Sequence, residues 1–191
     1  MNAITPEQLK ARNRGRWTLV ALFGLFFGAM ALAGLLRFSG WQPTAHRNTG
    51  QMIEPHLDVR ALPPTLASGQ PYPWKSDSQV WRILVAPSLG CAAECVTLSQ
   101  DLAKVWQLFG HRADNVEILW LGTPPAEVQG FPALRVLAPQ PNLRAVLPAV
   151  DDAAGTPVYV IDPNGFVIMR YAPGFELAGL RKDMATLLKL K

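Results

Sequence analysis

Few residues in this sequence can support thiol or metal chemistry. It has two cysteines, Cys91 and Cys95, and three histidines among 191 residues. Any thiol chemistry therefore depends on a single pair. The chain also lacks internal repeats and a basic patch interleaved with aromatic side chains. Its net charge of +4 therefore does not indicate a nucleic-acid partner. Much of that charge lies near the N-terminus, where membrane topology explains it.

Charged residues are also absent from Trp17 to Leu36. This run is close to the roughly 20 apolar residues that a helix needs to cross a bilayer core. The segment over 1–16 carries one acid and several basic residues, and the positive-inside rule keeps such a segment in the cytoplasm. The sequence predicts a cytoplasmic N-terminus over 1–16, a transmembrane helix over 17–36 in contact with membrane lipid, and an exported remainder. The basic residues are Lys10, Arg12, Arg14 and Arg16.

A cleavable signal peptide is the alternative interpretation of this run, because Ala31-Leu32-Ala33 resembles a cleavage site. The apolar run continues to Leu36, which favours an uncleaved anchor. The style of the sequence is bacterial. We therefore expect a single-pass protein of the bacterial inner membrane with its C-terminal domain in the periplasm. Thiols there are held oxidised, so an isolated pair needs a structural role or a reducing partner.

The rest of the chain divides by composition. Residues 37–75 contain six prolines and few apolar runs, which predicts an extended, Pro-rich tether. Residues 76–191 are enough for one compact domain with its own core. We expect this domain to be periplasmic and to carry the cysteine pair.

Strand and helix patterns alternate in that domain and predict an α/β fold, a mixed sheet flanked by helices. A crossover helix between the first two strands makes them parallel. The closing strands flank the turn Pro163-Asn164-Gly165, a hairpin that we expect to add an antiparallel edge. Strands are predicted over 80–86, 116–121, 134–137, 157–162 and 166–171, and helices over 96–109, 142–150 and 175–190.

The cysteine pair follows the first of these strands and opens the first helix of the domain. Unpaired N–H groups and the helix dipole favour thiolate there, the form that attacks disulfides and binds soft metals. A spacing of four places both sulfurs on one helix face. The pair therefore suits a reversible disulfide or a two-sulfur metal clamp. The alternatives are a structural disulfide or two small buried residues. Glu94 between them is expected to be an ordinary acid of the first helical turn.

Two motifs resemble thioredoxin-fold proteins: the segment from Cys91 to Cys95 after the first core strand, and Gly155-Thr156-Pro157 before the closing hairpin. The resemblance implies a thioredoxin-like sheet, a cis Pro157 beside the cysteines, and a groove at Thr156 and Pro157 that receives extended substrate. It also implies that Cys91 is the attacking sulfur and Cys95 the resolving one. The run over 155–165 is similar to membrane-anchored proteins of the TlpA type.

The CxxxC spacing instead resembles the Sco group, which assists copper-site assembly in cytochrome c oxidase. Sco proteins bind copper with both cysteines and a histidine just before the closing hairpin, where this chain has Asp151-Asp152-Ala153-Ala154. His111 lies at the far end of the first domain helix, and His46 and His56 lie in the predicted tether. Cu(I) accepts linear ligation by two thiolates. It is therefore the metal that Cys91 and Cys95 alone could hold.

Two functional hypotheses follow. The first is a thiol–disulfide oxidoreductase or Cu(I)-handling protein, membrane-tethered and thioredoxin-like, acting in respiratory cytochrome c oxidase assembly. Its expected partner is a respiratory oxidase subunit or another periplasmic thiol protein. The second is a non-catalytic assembly or binding module that keeps the thioredoxin fold and has a structural disulfide.

Overall fold

A computed structural model describes residues 6–39, 48–74 and 79–189. The chain divides into two units, Met1–His46 and Arg47–Lys191. The first unit contains helix α1, Pro6–Phe38. The second contains strands β1 (Gln51–Asp58), β2 (Trp81–Val85), β3 (Val116–Leu121), β4 (Leu134–Leu137), β5 (Val158–Ile161) and β6 (Phe166–Tyr171), helices α2 (Ala93–Gln107), α3 (Pro141–Val146) and α4 (Leu177–Leu187), and a 3-10 helix, Gly110–Asn115.

Helix α1 contains the predicted membrane span. Its segment Arg14–Phe38 is 25 residues long, is apolar, and has no residue buried within the protein. A helix of this length rises more than the roughly 30 Å thickness of a bilayer core. It is the one helix in the described part of the chain that is long and apolar enough to cross a membrane.

Six strands form one sheet in the order β1-β6-β5-β2-β3-β4. The pairs β2–β3 and β3–β4 are parallel, whereas β5 lies antiparallel to both β2 and β6. The predicted mixed sheet with flanking helices is therefore confirmed, as are the parallel first core strands and the closing hairpin. The hairpin does not form the edge of the sheet, because β1 pairs antiparallel with β6 and covers it.

Both faces of the sheet are covered, and successive side chains of β2 point to opposite faces. Ile83 packs in one cluster with Leu102 of α2 and Met184 of α4. Leu84 packs in the other cluster with Leu143 of α3. Burying a side chain of this size contributes about 1.5–3 kcal/mol relative to leaving it exposed. These contacts fix β2 in the centre of the sheet and therefore fix the position of the loop that follows it.

Strand β1 corrects the predicted Pro-rich tether over 37–75, which is wrong from residue 51 onward. Residues Gln51–Asp58 pair with β6. Most β1 side chains are exposed or half-buried, and the strand contains Pro55. Proline and few apolar residues are acceptable in an edge strand, so the composition of β1 resembles that of a linker. Residues 40–47 and 75–78 of the predicted tether lie outside the described residues.

The segment after β1 also packs on the domain, through a buried arginine. Arg82 is 2% exposed. Its Nε donates to the Tyr72 hydroxyl at 3.0 Å, and its Nη1 donates to two carbonyls of the turn after β5 at 3.2 and 3.3 Å. The Tyr72 hydroxyl donates to Glu117. Burial, followed by this hydrogen bond, raises the pKa of Tyr72 to about 12. Residues 59–74 are therefore part of the domain.

Candidate functional site

Cys91 and Cys95 form a disulfide whose Cα atoms lie 5.6 Å apart. Strand β2 ends at Val85 and helix α2 begins at Ala93, so the bridge joins the loop before α2 to the first turn of that helix. Gly90 has a φ of +79°, which glycine adopts without steric strain. The pair thus lies at the carboxyl end of a central strand, the position that the sequence predicted.

The two sulfur-bearing residues differ in exposure. Cys91 is half-buried, whereas Cys95 is 0% exposed and belongs to the core cluster beneath α2. No side chain among the described residues caps the amino end of α2 at Ala92. The N–H groups of its first turn are therefore left to favour a nearby thiolate. When the bridge is reduced, Cys91 carries the more accessible sulfur.

Thr156 brings a hydroxyl to both sulfurs. The residue is 1% exposed. Its Oγ1 donates to Cys91 Sγ at 3.2 Å and lies 3.7 Å from Cys95 Sγ. The backbone N–H of Ser88 donates to the same hydroxyl at 3.3 Å, which leaves the hydroxyl proton free for sulfur. A hydrogen bond to the charged form of a group favours that form. In the closed disulfide the structure therefore places a hydroxyl donor on Cys91 Sγ, the sulfur that would become a thiolate when the bridge is reduced.

The cis Pro157 implied by the family resemblance is wrong. Within the described residues the cis peptide bond is Glu54–Pro55, so the bond before Pro157 is trans. Pro157 is buried and leads directly into β5, and its carbonyl accepts a hydrogen bond from Ala86 N at 3.3 Å. The two residues predicted to line a substrate groove, Thr156 and Pro157, are both buried, and Thr156 contacts both sulfurs. The group that they present to the sulfurs is the Thr156 hydroxyl.

Glu94 has a contact that the sequence did not predict. Its Oε1 accepts a hydrogen bond from Thr156 N at 3.1 Å, across a separation of 62 residues. The sequence interpretation of Glu94 as an ordinary first-turn acid was incomplete. A helix position predicts the charge preference of that turn but not a long-range hydrogen bond. No local pattern in the sequence could have found this contact.

Two ion pairs hold the loop before β5, which contains Asp151 and Asp152. Arg144 Nη2 pairs with Asp151 at 2.7 Å, and Arg170 pairs with Asp152. Hydrogen bonds from the backbone N–H of Ala154, and then from Arg170, hold the pKa of the Asp152 carboxyl below its usual range. Arg144 Nη1 also donates to the carbonyl of Pro87, in the loop before Cys91, at 3.0 Å. Both acids are therefore paired: Asp151 is linked through Arg144 to the loop before Cys91, and Asp152 is linked to strand β6.

Among the residues that the structure describes, the two cysteines are not joined by further metal ligands. The described ranges contain no group of three or more His, Cys, Asp or Glu side chains that could hold a metal ion. His56 on β1 and His111 in the 3-10 helix are exposed. His46 lies outside the described residues. Once reduced, the pair would supply two sulfur ligands, a set that suits a soft ion such as Cu(I).

A disulfide at the amino end of the first domain helix, on a mixed sheet with helices on both faces, defines a thioredoxin-fold protein. The family model described as transmembrane-like, thioredoxin-like, C-terminal domain matches residues 81–191, and the chain belongs to this family. The comparison with curated proteins found no matching relative.

Solved structures resemble this fold at low identity. BsSco, a member of the Sco family of cytochrome c oxidase assembly proteins, is 12% identical over 78% of this chain and 100% of its own, with a TM-score of 0.50. Copper-bound ScoI of Arabidopsis thaliana is 14% identical over 75% and 100%, with a TM-score of 0.49. Peroxiredoxin Q of Xanthomonas campestris is 16% identical over 69% and 92%, with a TM-score of 0.47. At these identities the likeness concerns the fold alone.

Proposed function

We propose that this protein is a membrane-tethered thiol–disulfide exchange protein that uses Cys91 and Cys95 outside the cytoplasm. The hydrogen bond from the buried Thr156 hydroxyl to Cys91 Sγ carries the proposal. A donor at this position stabilises the thiolate that forms when the bridge opens. The difference in exposure between the two cysteines supports separate attacking and resolving roles.

The exchange would run in two steps in the direction that reduces a partner. The Cys91 thiolate attacks one sulfur of a partner disulfide, forms a mixed disulfide and releases one partner thiolate. The Cys95 thiol loses its proton and attacks Cys91 Sγ. The Cys91–Cys95 bridge forms again and the second partner thiolate leaves. Two electrons pass to the partner, and the reverse sequence oxidises a partner dithiol.

The proposed location is the bacterial inner membrane, with α1 as an uncleaved single-pass anchor and the domain in the periplasm. The apolar segment Arg14–Phe38 and the basic residues that precede residue 17 support this orientation. The proposed partner is a respiratory oxidase subunit or another periplasmic thiol protein. The oxidase role is supported by the CxxxC resemblance to the Sco group, one member of which shares the fold.

An exchange assay on the full-length protein in detergent micelles tests this proposal. After reduction and removal of the reductant, we expect the protein to react with glutathione disulfide. One Cys91–Cys95 bridge should form and two glutathione thiols should appear per chain. Mass spectrometry and a thiol assay measure the two products. The double variant Cys91→Ser, Cys95→Ser controls for other routes of glutathione consumption.

The second hypothesis, a non-catalytic binding module with a structural disulfide, is tested with the double serine variant, because a reduced structural pair would also be oxidised by glutathione disulfide. That module would keep its partner binding when both cysteines are replaced by serine. Retained complementation of the cellular function by the double variant would therefore contradict the exchange proposal, even if the purified protein reacted slowly with glutathione.

Cu(I) is a second candidate, as a cargo that the reduced pair would carry. Two thiolates, one in the loop before α2 and one in the first turn of that helix, form a ligand set that a soft ion accepts. We expect anaerobic titration of the reduced protein to show one Cu(I) per chain, bound more tightly than by the Cys91→Ser variant. Equal affinity for Cu(I) in the protein and in this control would exclude the pair as the copper site.

A further inference from the structure

The carboxylate of Glu94 lies against the loop that carries Thr156. Besides accepting the hydrogen bond from Thr156 N at 3.1 Å, Oε1 rests on Gly155. A Cβ added to Gly155 would lie 2.6 Å from this oxygen, closer than real contacts allow. Gly155 has a φ of +136°, so glycine meets both the steric and the conformational requirement at this position. The helix that holds Cys95 and the loop that holds Thr156 are thus joined by one side chain.

This connection determines where the Thr156 hydroxyl points. The backbone N–H of Thr156 bonds to Glu94, and its side chain bonds to Cys91 Sγ at 3.2 Å. Both bonds are made by Thr156, so holding its backbone N–H limits the positions that its hydroxyl can take. Ser88 N contacts the hydroxyl itself but not the Thr156 backbone. Glu94 is therefore the α2 side chain that holds the Thr156 backbone, whereas Cys95 of the same helix meets the Thr156 hydroxyl.

We infer that Glu94 is a positioning residue, which holds Thr156 so that its hydroxyl stabilises the reduced form of the Cys91–Cys95 pair. The inference rests on the proposed exchange function, because it concerns the balance between dithiol and disulfide at the same site. Glu94 acts through Thr156 and does not itself contact the reacting sulfurs. A glutamine at position 94 keeps an acceptor oxygen at the same reach, whereas an aspartate keeps the charge but is one methylene shorter.

A double-variant cycle on the full-length protein tests this inference. Thr156→Val removes the hydroxyl donor. We expect it to shift the redox equilibrium constant towards the disulfide by about tenfold, as a hydrogen bond to a charged group is worth at least 1.4 kcal/mol. The shift should persist in the Glu94→Gln background. It should largely disappear in the Glu94→Ala and Glu94→Asp backgrounds, where the hydroxyl is no longer held. The equilibrium is measured against glutathione, or against dithiothreitol for a more reducing pair.

Asp114→Ala is the matched control. Asp114 is exposed and precedes the amino end of β3, whereas the disulfide follows the carboxyl end of the parallel strand β2. Thr156→Val should have its full effect in that background. Equal effects of Thr156→Val in the Glu94→Gln and Glu94→Ala backgrounds would overturn the inference.

Hydrogen exchange of the Thr156 amide gives a second test that needs no reduction. Protection should fall in oxidised Glu94→Ala and stay high in oxidised Glu94→Gln. Unchanged protection in Glu94→Ala would also overturn the positioning role. Retained complementation by the Cys91→Ser, Cys95→Ser variant, together with an intact double-variant cycle, would reject the proposed function and leave the role of Glu94 standing.

Discussion

The Cys95→Ser variant is expected to accumulate as a mixed disulfide through Cys91, whereas Cys91→Ser should form none above background. The reason is the unequal burial of the pair. Cys91 is half-buried and accepts the Thr156 hydrogen bond, while Cys95 is 0% exposed within the core. An attacking thiol must be reached by the partner disulfide, whereas a resolving thiol needs only to reach its neighbour. Without Cys95, no second thiol in the chain can attack the mixed disulfide and release the partner.

Mass spectrometry after incubation with glutathione disulfide measures the trapped adduct in both variants. The double serine variant gives the background, and circular dichroism verifies that each single variant is folded. Equal adduct formation by the two single variants, or trapping in Cys91→Ser alone, would contradict the assigned roles. The Cys95→Ser variant, incubated with membrane extracts, would capture the natural partner through Cys91, and Cys91→Ser would be its control.

Replacing Asp183 by alanine is expected to destabilise the domain by about 3 kcal/mol or more. Asp183 is 5% exposed. Its Oδ2 accepts hydrogen bonds from Thr49 N at 2.7 Å, Gly50 N at 2.9 Å and the Tyr171 hydroxyl at 2.8 Å. Burial and this contact with the Asp183 carboxylate raise the pKa of Tyr171. Gly50 N and the Tyr171 hydroxyl are buried donors, and each costs about 1–3 kcal/mol when it is left without an acceptor.

The tight packing of the segment before β1 explains why we expect a large loss of stability. A Cβ at Gly50 would lie 2.6 Å from the Tyr171 ring, and a Cβ at Gly179 would lie 2.5 Å from the Thr49 side chain. The segment before β1 is therefore packed without spare room. Urea unfolding of the full-length protein in detergent gives the free energy of unfolding. Asp183→Asn keeps one acceptor oxygen and should lose less.

An exposed acid provides the control for this prediction. Asp114→Ala should change the free energy of unfolding by less than about 0.5 kcal/mol, as is usual for surface substitutions. A loss below 1 kcal/mol in Asp183→Ala would contradict the role given to the buried carboxylate.

The core of the fold could be predicted from the sequence because its strands are short apolar runs and its helices carry apolar stripes. Strand β2 and helix α2 both appear at their predicted places, within a few residues of the predicted ends. Strand β1 could not be predicted in this way. Its pairing partner is β6, more than a hundred residues away, and its own composition of proline and polar residues is that of a linker. Pairing across the sheet, not local preference, makes it a strand.

In the candidate site, too, features set by local sequence could be predicted and features set by long-range packing could not. Cys91 and Cys95 are predictable because strand, loop and helix follow one another locally. Thr156 was named from its motif, but its hydroxyl contact with sulfur depends on how β5 lies beside β2. Glu94 and its bond to Thr156 depend on the same long-range packing. The trans bond before Pro157 shows that motif resemblance alone also fails where the local backbone differs.

The reduction potential of the Cys91–Cys95 pair is the most direct measurement of the central claim that this disulfide is reversible. It is obtained by equilibrating the full-length protein in redox buffers and quantifying the free thiols. We predict a potential above about −300 mV, within the range of exchange proteins such as thioredoxin. A potential below about −300 mV, typical of structural bridges in secreted proteins, would contradict the claim.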